Sequence, residues 1–387
     1  VADNTRSNTA AITITPPTGV SVALTPKRGG LTVGQSLDFM ATVTNDVGGQ
    51  GVTWSVTGGG AFTNSTATTA TYVAPATAGI VTVTATSKVD VTMSASTTLG
   101  VTDLAGVFTY HNDISRDGAN TQEYALTGPS ATTPSNVSSS TFGKLFSCAV
   151  DGAVYAQPLW VSNVTINGAN HNVVVVATAH DSLYLFDADA NPCVMYWQAN
   201  LLDIAHGGTP SEVPVISGGP GALVGAGFGD ITPETGVIGT PVIDPTTHTI
   251  YVVSKSVIVS SSTFFQRLHA INLVTGGETL TPININSSVT YPGTGDGGTT
   301  VAFNPSVQLQ RTGLALVNGI VYICWASHED GGHYFGWVAG YRASDLSLVS
   351  TYNATPSSGS GGIWMGGGAP AADNTNNLYV ITGNGNF

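Results

Sequence analysis

The sequence predicts an all-β chain in two parts, a β-sandwich followed by a β-propeller. Three observations carry that expectation. Only 9% of the 387 residues are charged, against roughly 25% in an ordinary domain, so the polar surface must come from Thr, Ser, Asn and Gly, the composition of an extracellular β-protein. Short runs of alternating apolar and polar residues, bounded by Gly, Pro and Asn, follow one another along the chain. One strand–turn–strand phrase then recurs through the C-terminal part.

The phrase first appears between Val154 and Asp189, VYAQPLWVSNVTINGANHNVVVVATAHDSLYLFDAD. It reads as a strand around Gln157 to Trp160, an apolar β-branched strand at Val173 to Thr178, a polar turn at His180 and Asp181, and an alternating strand at Leu183 to Phe186. The same order returns over Ile238 to Gly276, Gly313 to Asp345 and Gly367 to Gly385, and matching the second strands aligns Val174, Tyr251, Tyr322 and Tyr379. Four strands in roughly 40 to 50 residues, repeated, are the pattern of propeller blades.

The third-strand phrases LHAINLVTGGETL and LYLFDADANPCVMYW resemble the repeat of the quinoprotein-like propellers, Ala-x-Asp, then Thr-Gly, then Trp. Ala270, Thr275 and Gly276 match in the second unit, with Asn272 in place of the aspartate, while Asp187 and Trp197 match in the first. The resemblance covers Phe142 to Phe387 and implies radially arranged four-stranded sheets, the last one incomplete at Phe387. It brings quinone-dependent dehydrogenases to mind. Those enzymes carry an adjacent cysteine pair beneath the cofactor and a Glu/Asn/Asp calcium cluster, and no adjacent cysteines occur here, so pyrroloquinoline quinone (PQQ) is not an expected cofactor.

From the N-terminus, residues 1–15 have strand alternation and overlay Lys88 to Thr102, which suggests the last strand of a preceding domain. Residues 16–102 hold short strands near Val20 to Leu24, Ser36 to Thr44, Val52 to Val56, Thr68 to Val73, Ile80 to Thr86 and Met93 to Val101, the layout of a sandwich. The phrases LTVGQSLDFMATVT, VTWSV, TATYVAP and GIVTVTATS resemble bacterial immunoglobulin-like (Big-type) domains, and Trp54 is the expected buried aromatic between the sheets. Residues 103–141 form a linker or rim segment. Within it His111, Asn112, Asp113 and Arg116 read either as a hydrogen-bonded clamp on the propeller rim or as a contribution to a ligand site. Residues 142–387 are the propeller, opened by a lone outer strand at Phe142 to Val150.

Net charge is -13, from 23 acidic and 10 basic residues, which disfavours nucleic acid and anionic membrane surfaces as partners. No apolar run reaches the length of a membrane span. The three cysteines, Cys148, Cys193 and Cys324, form no C-x-x-C, which argues against structural zinc and thioredoxin chemistry. Cys324 reads as a small buried hydrophobe. Cys148 and Cys193 can bridge in an oxidising compartment if the fold brings them together.

In a propeller, the turns between second and third strands and the links between blades emerge on one face. That rule collects His180 and Asp181, then Gln266 and Arg267, then His328, Glu329, Asp330 and His333. The insertions Leu202 to Gly236 and Ser287 to Gln310 add Asp203, His206, Asp230, Glu234 and Asp296. The candidate ligand-binding set is His180, Asp181, Asp230, Glu234, Arg267, His328, Asp330 and His333, although each has a plain reading as a turn or cap residue. Carboxylates and carbonyls around Gly turns suit calcium as a cation, and a zinc site would need His328 and His333 to converge.

Three function classes are open. The first is a secreted or surface protein whose immunoglobulin-like part presents a propeller for binding or assembly, with neighbouring copies, further domains of the same protein, or carbohydrate as partners. The second is the quinone-dependent dehydrogenase. The third is a hydrolase or lyase on the polar face, for which no G-x-S-x-G signature appears. The first accounts best for the composition.

Overall fold

Alternation of apolar and polar residues should give strands wherever one face can be buried, and strands are what the chain forms. The computed structural model describes residues 19–27, 29–121, 123–124, 126, 143–219, 221–225 and 231–386; the expected strand at residues 1–15 and Asp230 lie outside them. Among the described residues, helix is limited to single 3-10 turns at Ile204–His206 and Val259–Ser261. No helix there is long and apolar enough to cross a membrane. The protein is all-β, with several four- to six-stranded sheets, in two units: Val1–Leu104 with Thr121–Gly143, and Ala105–Asn120 with Lys144–Phe387.

The first unit contains two sheets. One orders its strands Ser21–Thr25, Ser36–Thr44, Thr69–Val73, Ala61–Ser65, and the other Gly30–Thr32, Ser94–Thr102, Gly79–Ser87, Val52–Thr57. They share one core, to which Leu24, Phe39 and Tyr72 contribute from the first sheet and Val52, Val81, Val83, Leu99 and Val101 from the second. Gly79–Ser87 shows the cause, since Val81, Val83 and Ala85 turn inward between the threonines. Trp54 is not the central aromatic. Its ring is only half-buried, beside Phe62 at a centroid distance of 6.0 Å, because its indole N–H reaches out to Thr66 O at 3.0 Å. Phe39 and Tyr72 fill the interior instead.

The second unit is a succession of antiparallel meanders. The first runs Leu159–Ile166, Ala169–Ala177, Ser182–Asp187, Met195–Asn200; the second Val242–Asp244, Thr249–Ile258, Thr263–Asn272, Ile283–Asn284; the third Ala315–Val317, Ile320–Ser327, Trp337–Arg342, Leu348–Asn353. A hairpin of Ala371–Ala372 and Leu378–Tyr379 follows. The four residues aligned in the sequence hold equivalent places, each across the first hairpin of its unit: Val174 faces Trp160, Tyr251 faces Val242, Tyr322 faces Ala315 and Tyr379 faces Ala371. The turn after the third strand also repeats. Asp187 Oδ1 accepts from the amides of Asp189 and Ala190, and Asn272 Oδ1 from those of Val274 and Thr275. Asparagine replaces aspartate there without loss because the turn needs only an acceptor.

Thr249–Ile258 is buried on both faces. Ile250 and Val252 enter a core shared with the first meander, while Tyr251 and Val253 enter one shared with Trp325, Trp337 and Tyr341 of the third. Cys324 and Val338, on the third meander's other face, meet Ile363. Successive sheets therefore stack face to face. Cys324 is buried, which pushes its thiol pKa up and keeps it a thiol.

Two further expectations are corrected. Arg267 does not lie in a turn: the hairpin bends at Val259–Ser261, and Arg267 sits mid-strand opposite Ser254. Lys144 to Val150 forms no strand. That segment is tethered instead, by a Cys148–Cys193 disulfide with Cα atoms 5.5 Å apart and by Asn191 Nδ2 donating to Leu145 O.

Ala105–Asn120 touches every one of the four repeats. Gly106–Val107 pairs with Trp160 and Val161, Phe108 O accepts from Ile243 N, Thr109 Oγ1 donates to Leu314 O, and Ile114 O accepts from Ala372 N. Arg116 fixes the segment with bonds from Nε to Pro370 O (2.9 Å) and from Nη1 to Thr109 Oγ1 (2.7 Å) and Tyr110 O (2.7 Å). Burial lowers its pKa to about 10, still cationic at neutral pH. The clamp reading of Arg116 accounts for all of these bonds. Arg116→Ala should therefore cost about 3 kcal/mol in urea unfolding followed by tryptophan fluorescence, to which only Trp54 contributes from the first unit. Arg116→Lys should recover less than half, because an ammonium cannot fork between these carbonyls.

Candidate functional site

The turns at His180 and Asp181 and after Ser327 close the hairpins between second and third strands of the first and third meanders. Residue Lys255 of the second meander joins them. Its backbone N–H donates to Asp181 Oδ1 (3.1 Å), and its Nζ lies 2.7 Å from His328 Nε2 and 2.8 Å from Gln308 O. Asp181 and His328 are thus brought to one end of the sheets.

Asp181 occupies a left-handed turn position, φ 57°, and is fully buried, with Oδ2 meeting no hydrogen-bond partner. Burial, opposed by the Lys255 amide, raises its pKa well above the usual carboxylate range. Gly236 is needed beside it, since a Cβ there would stand 2.6 Å from Asp181 Cγ. His180 Nδ1 is 2.7 Å from Glu234 Oε2, with the histidine side chain 43% exposed. Asp330 accepts from Tyr334 OH; burial, helped by that carboxylate, pushes the Tyr334 pKa up to about 12.

Arg267 is spoken for. Its guanidinium makes a two-pronged pair with Glu212, at 2.5 and 2.8 Å, and Ser256 Oγ donates to the same carboxylate. Burial works against the Glu212 anion, but the bonds from Arg267 and Ser256 outweigh it and hold the pKa below its ordinary value. Arg267 also lies 4.7 Å from the centre of the Phe265 ring.

His333 faces a different partner, with Nε2 3.2 Å from Asp296 Oδ1. His328 and His333 therefore do not converge. Among the described residues no group of three or more His, Cys, Asp or Glu side chains is arranged to hold a metal ion. Asp296 and His333 edge a cleft of about 570 Å³, lined also by Asn286, Asn304, Gln308 and Phe335. Gln308 joins cleft and polar end: its Nε2 donates to Ala326 O and Phe335 O, and its backbone carbonyl receives Lys255 Nζ.

Lys255, Glu212, Gln308 and Tyr334 were not among the candidates drawn from the sequence. One of them had a signal. Lys255 is the only charged residue in the run TIYVVSKSVIV, and a lone charge in a two-faced apolar strand must be bonded inside the protein.

No protein-family model and no curated protein matches the chain. A europium-containing methanol dehydrogenase is similar at a TM-score of 0.26 and 12% identity over 51% of this chain, which spans 26% of the dehydrogenase. A DUF4784 family protein from Bacteroides caccae is similar at a TM-score of 0.20 and 9% identity, over 88% of this chain and 85% of that one. Likenesses this weak decide nothing about function.

Glu212→Ala should leave the buried Arg267 guanidinium without its anion and cost about 3 to 5 kcal/mol in urea unfolding. His180→Ala, at an exposed pair, should stay within about 1 kcal/mol. Asp181 gives a pH test. A raised folded pKa confers stability that is whole below the unfolded value, about 3.9, and is lost as pH rises through the folded one. Asp181→Asn lacks that loss, so a stability gap in its favour should open above about pH 4 in thermal melts across pH.

Proposed function

We propose that this chain is a secreted or cell-surface binding protein, in which an immunoglobulin-like sandwich precedes a β-propeller in sequence and the propeller takes a polar ligand on the end bearing His180, Glu234, His328, Asp330 and His333. Face-to-face meanders whose first strands all meet Ala105–Asn120 support the propeller reading. The shared two-sheet core supports the sandwich. Export is supported by the Cys148–Cys193 disulfide, a bond kept in oxidising compartments, and by the sparse charge.

The observation that carries the binding reading is the cleft of about 570 Å³ with Asp296, His333, Asn286, Asn304 and Gln308 in its walls. Among the described residues no lysine or arginine lines it, and its carboxylate repels anions, so phosphorylated or sulfated ligands fit poorly. Carboxamides, a carboxylate and an imidazole offer paired donors and acceptors, which suit a neutral, hydroxyl-rich molecule such as a short carbohydrate.

Titration calorimetry with neutral trisaccharides (cellotriose, maltotriose, chitotriose) tests this. At least one should bind, and Asp296→Ala or His333→Ala should weaken it about tenfold, the worth of one lost polar contact near 1.4 kcal/mol. Failure of all three sugars to bind the wild-type protein would remove the carbohydrate reading.

A further inference from the structure

Lys255 is the single charged side chain of the strand Thr249–Ile258 and is 3% exposed. Both acceptors of its Nζ are neutral, Gln308 O at 2.8 Å and His328 Nε2 at 2.7 Å. The charged groups about it are few. Asp181, on the first meander's turn, bonds its backbone amide and has Glu234 as a neighbouring charge. Arg311 acts on His328 from the third meander's side. The Arg267–Glu212 pair belongs to the opposite face, since Arg267 stands across from Ser254 while Lys255 stands across from Gln266.

A buried ammonium among neutral acceptors bears a desolvation cost that an uncharged amine avoids. The two forms differ in the direction of one hydrogen bond. As –NH3+, Lys255 donates to both partners, so His328 must carry its own proton on Nδ1. As –NH2, Lys255 donates to Gln308 O and its lone pair accepts from His328 Nε2–H, leaving Nδ1 bare. A proton arriving at Nδ1, with transfer of the Nε2 proton to Nζ, converts the second form into the first. One proton is gained, and the imidazole is neutral before and after.

We propose that Lys255 is the positioning residue of the polar end, and that through this relay it sets which tautomer His328 presents there and so makes ligand binding depend on pH. The inference rests on the reading of that end as a binding face. Burial lowers the Lys255 pKa to about 7, against the pull of Asp181. Burial, then Lys255 and Arg311, hold His328 well below its ordinary value, which is why the ring stays neutral.

Nitrogen-15 NMR of the wild-type protein, labelled at lysine Nζ and the histidine ring, tests the relay without a ligand. Lys255 Nζ should titrate at about 7, and the two ring nitrogens of His328 should exchange character at the same pH without passing through imidazolium. A lysine midpoint near its ordinary value of about 10.4, or a His328 that becomes imidazolium near about 6.5, would overturn the proposal. The cost of the charge is whole below the folded pKa and disappears as pH rises from there to the unfolded value. Lys255→Met should accordingly melt a few degrees above wild type at pH 6, with the gap closing as pH rises toward 10; a gap constant with pH counts against the relay. For any sugar that binds, affinity should change several-fold between pH 6 and 8 in wild type and not in Lys255→Met, and a flat wild-type profile sinks the pH dependence. If no sugar binds, the face reading fails while the NMR titration still decides the relay.

Discussion

Four strands that begin at one place need a backbone thin enough to let them meet, and Gly313 is a position where that constraint shows. A Cβ at Gly313 would stand 3.0 Å from Ala369 Cβ, 3.1 Å from Tyr110 Cβ and 3.3 Å from Thr240 Cβ, side chains from the fourth repeat, the Ala105–Asn120 segment and the second repeat. Hydrogen bonds follow the same convergence. Gln157 N donates to Thr240 Oγ1, Leu314 N to Thr240 O and Gly313 N to Gly368 O, joining the starts of the four repeats in order. The aromatic filling between sheets, Trp325, Trp337 and Tyr341, belongs to the core shared by the second and third meanders.

Scarcity of charge shapes the interior. With 10 lysines and arginines in the whole chain, histidine serves as the partner of carboxylates: His171 with Asp187, His180 with Glu234, His206 with Asp203, His269 with Glu278 and His333 with Asp296. Neutral imidazole can donate one such bond without the desolvation that a buried ammonium demands. Lys255 Nζ instead has neutral partners, Gln308 O and His328 Nε2.

Strand positions were largely legible because alternation and short apolar runs are local signals, the first seen in Gly79–Ser87 and the second in Ile320–Ser327. Gly30–Thr32 and Ala61–Ser65 were not: the first is three residues long and pairs with Gly100 to Thr102 far along the chain, and the second is mostly exposed, with a register shift between Phe62 and Asn64 against Thr69–Val73. Arg267 was misplaced for a definite reason. The second hairpin's strands run ten residues each and bend at Val259–Ser261 with Ser262 in a left-handed conformation. A turn built on serine, without glycine, carries no turn signal in the sequence, so nothing local marks Val259–Ser261 as the bend. The candidate end was legible as a set of turns, whereas the pairings within it were not. Glu212 with Arg267 and Gln308 with Lys255 are contacts between residues 55 and 53 positions apart, and nothing local encodes them.

Those pairings have a common source. Glu212 and Glu234 both come from the long insertion after the first meander, and they supply the carboxylates for Arg267 and His180. Asp296 and Gln308 come from the insertion after the second, and they supply the partners of His333 and Lys255. The repeat body provides the bases and the insertions provide the acceptors. Repeats must keep their strands in register to stack, which limits what they can change, while an insertion is anchored by only a few bonds and is free to vary. The chemistry of the polar end is therefore set where repeat and insertion meet, with the meanders holding His180, Lys255, Arg267 and His328 at fixed points and the insertions deciding which of them face a carboxylate and which do not.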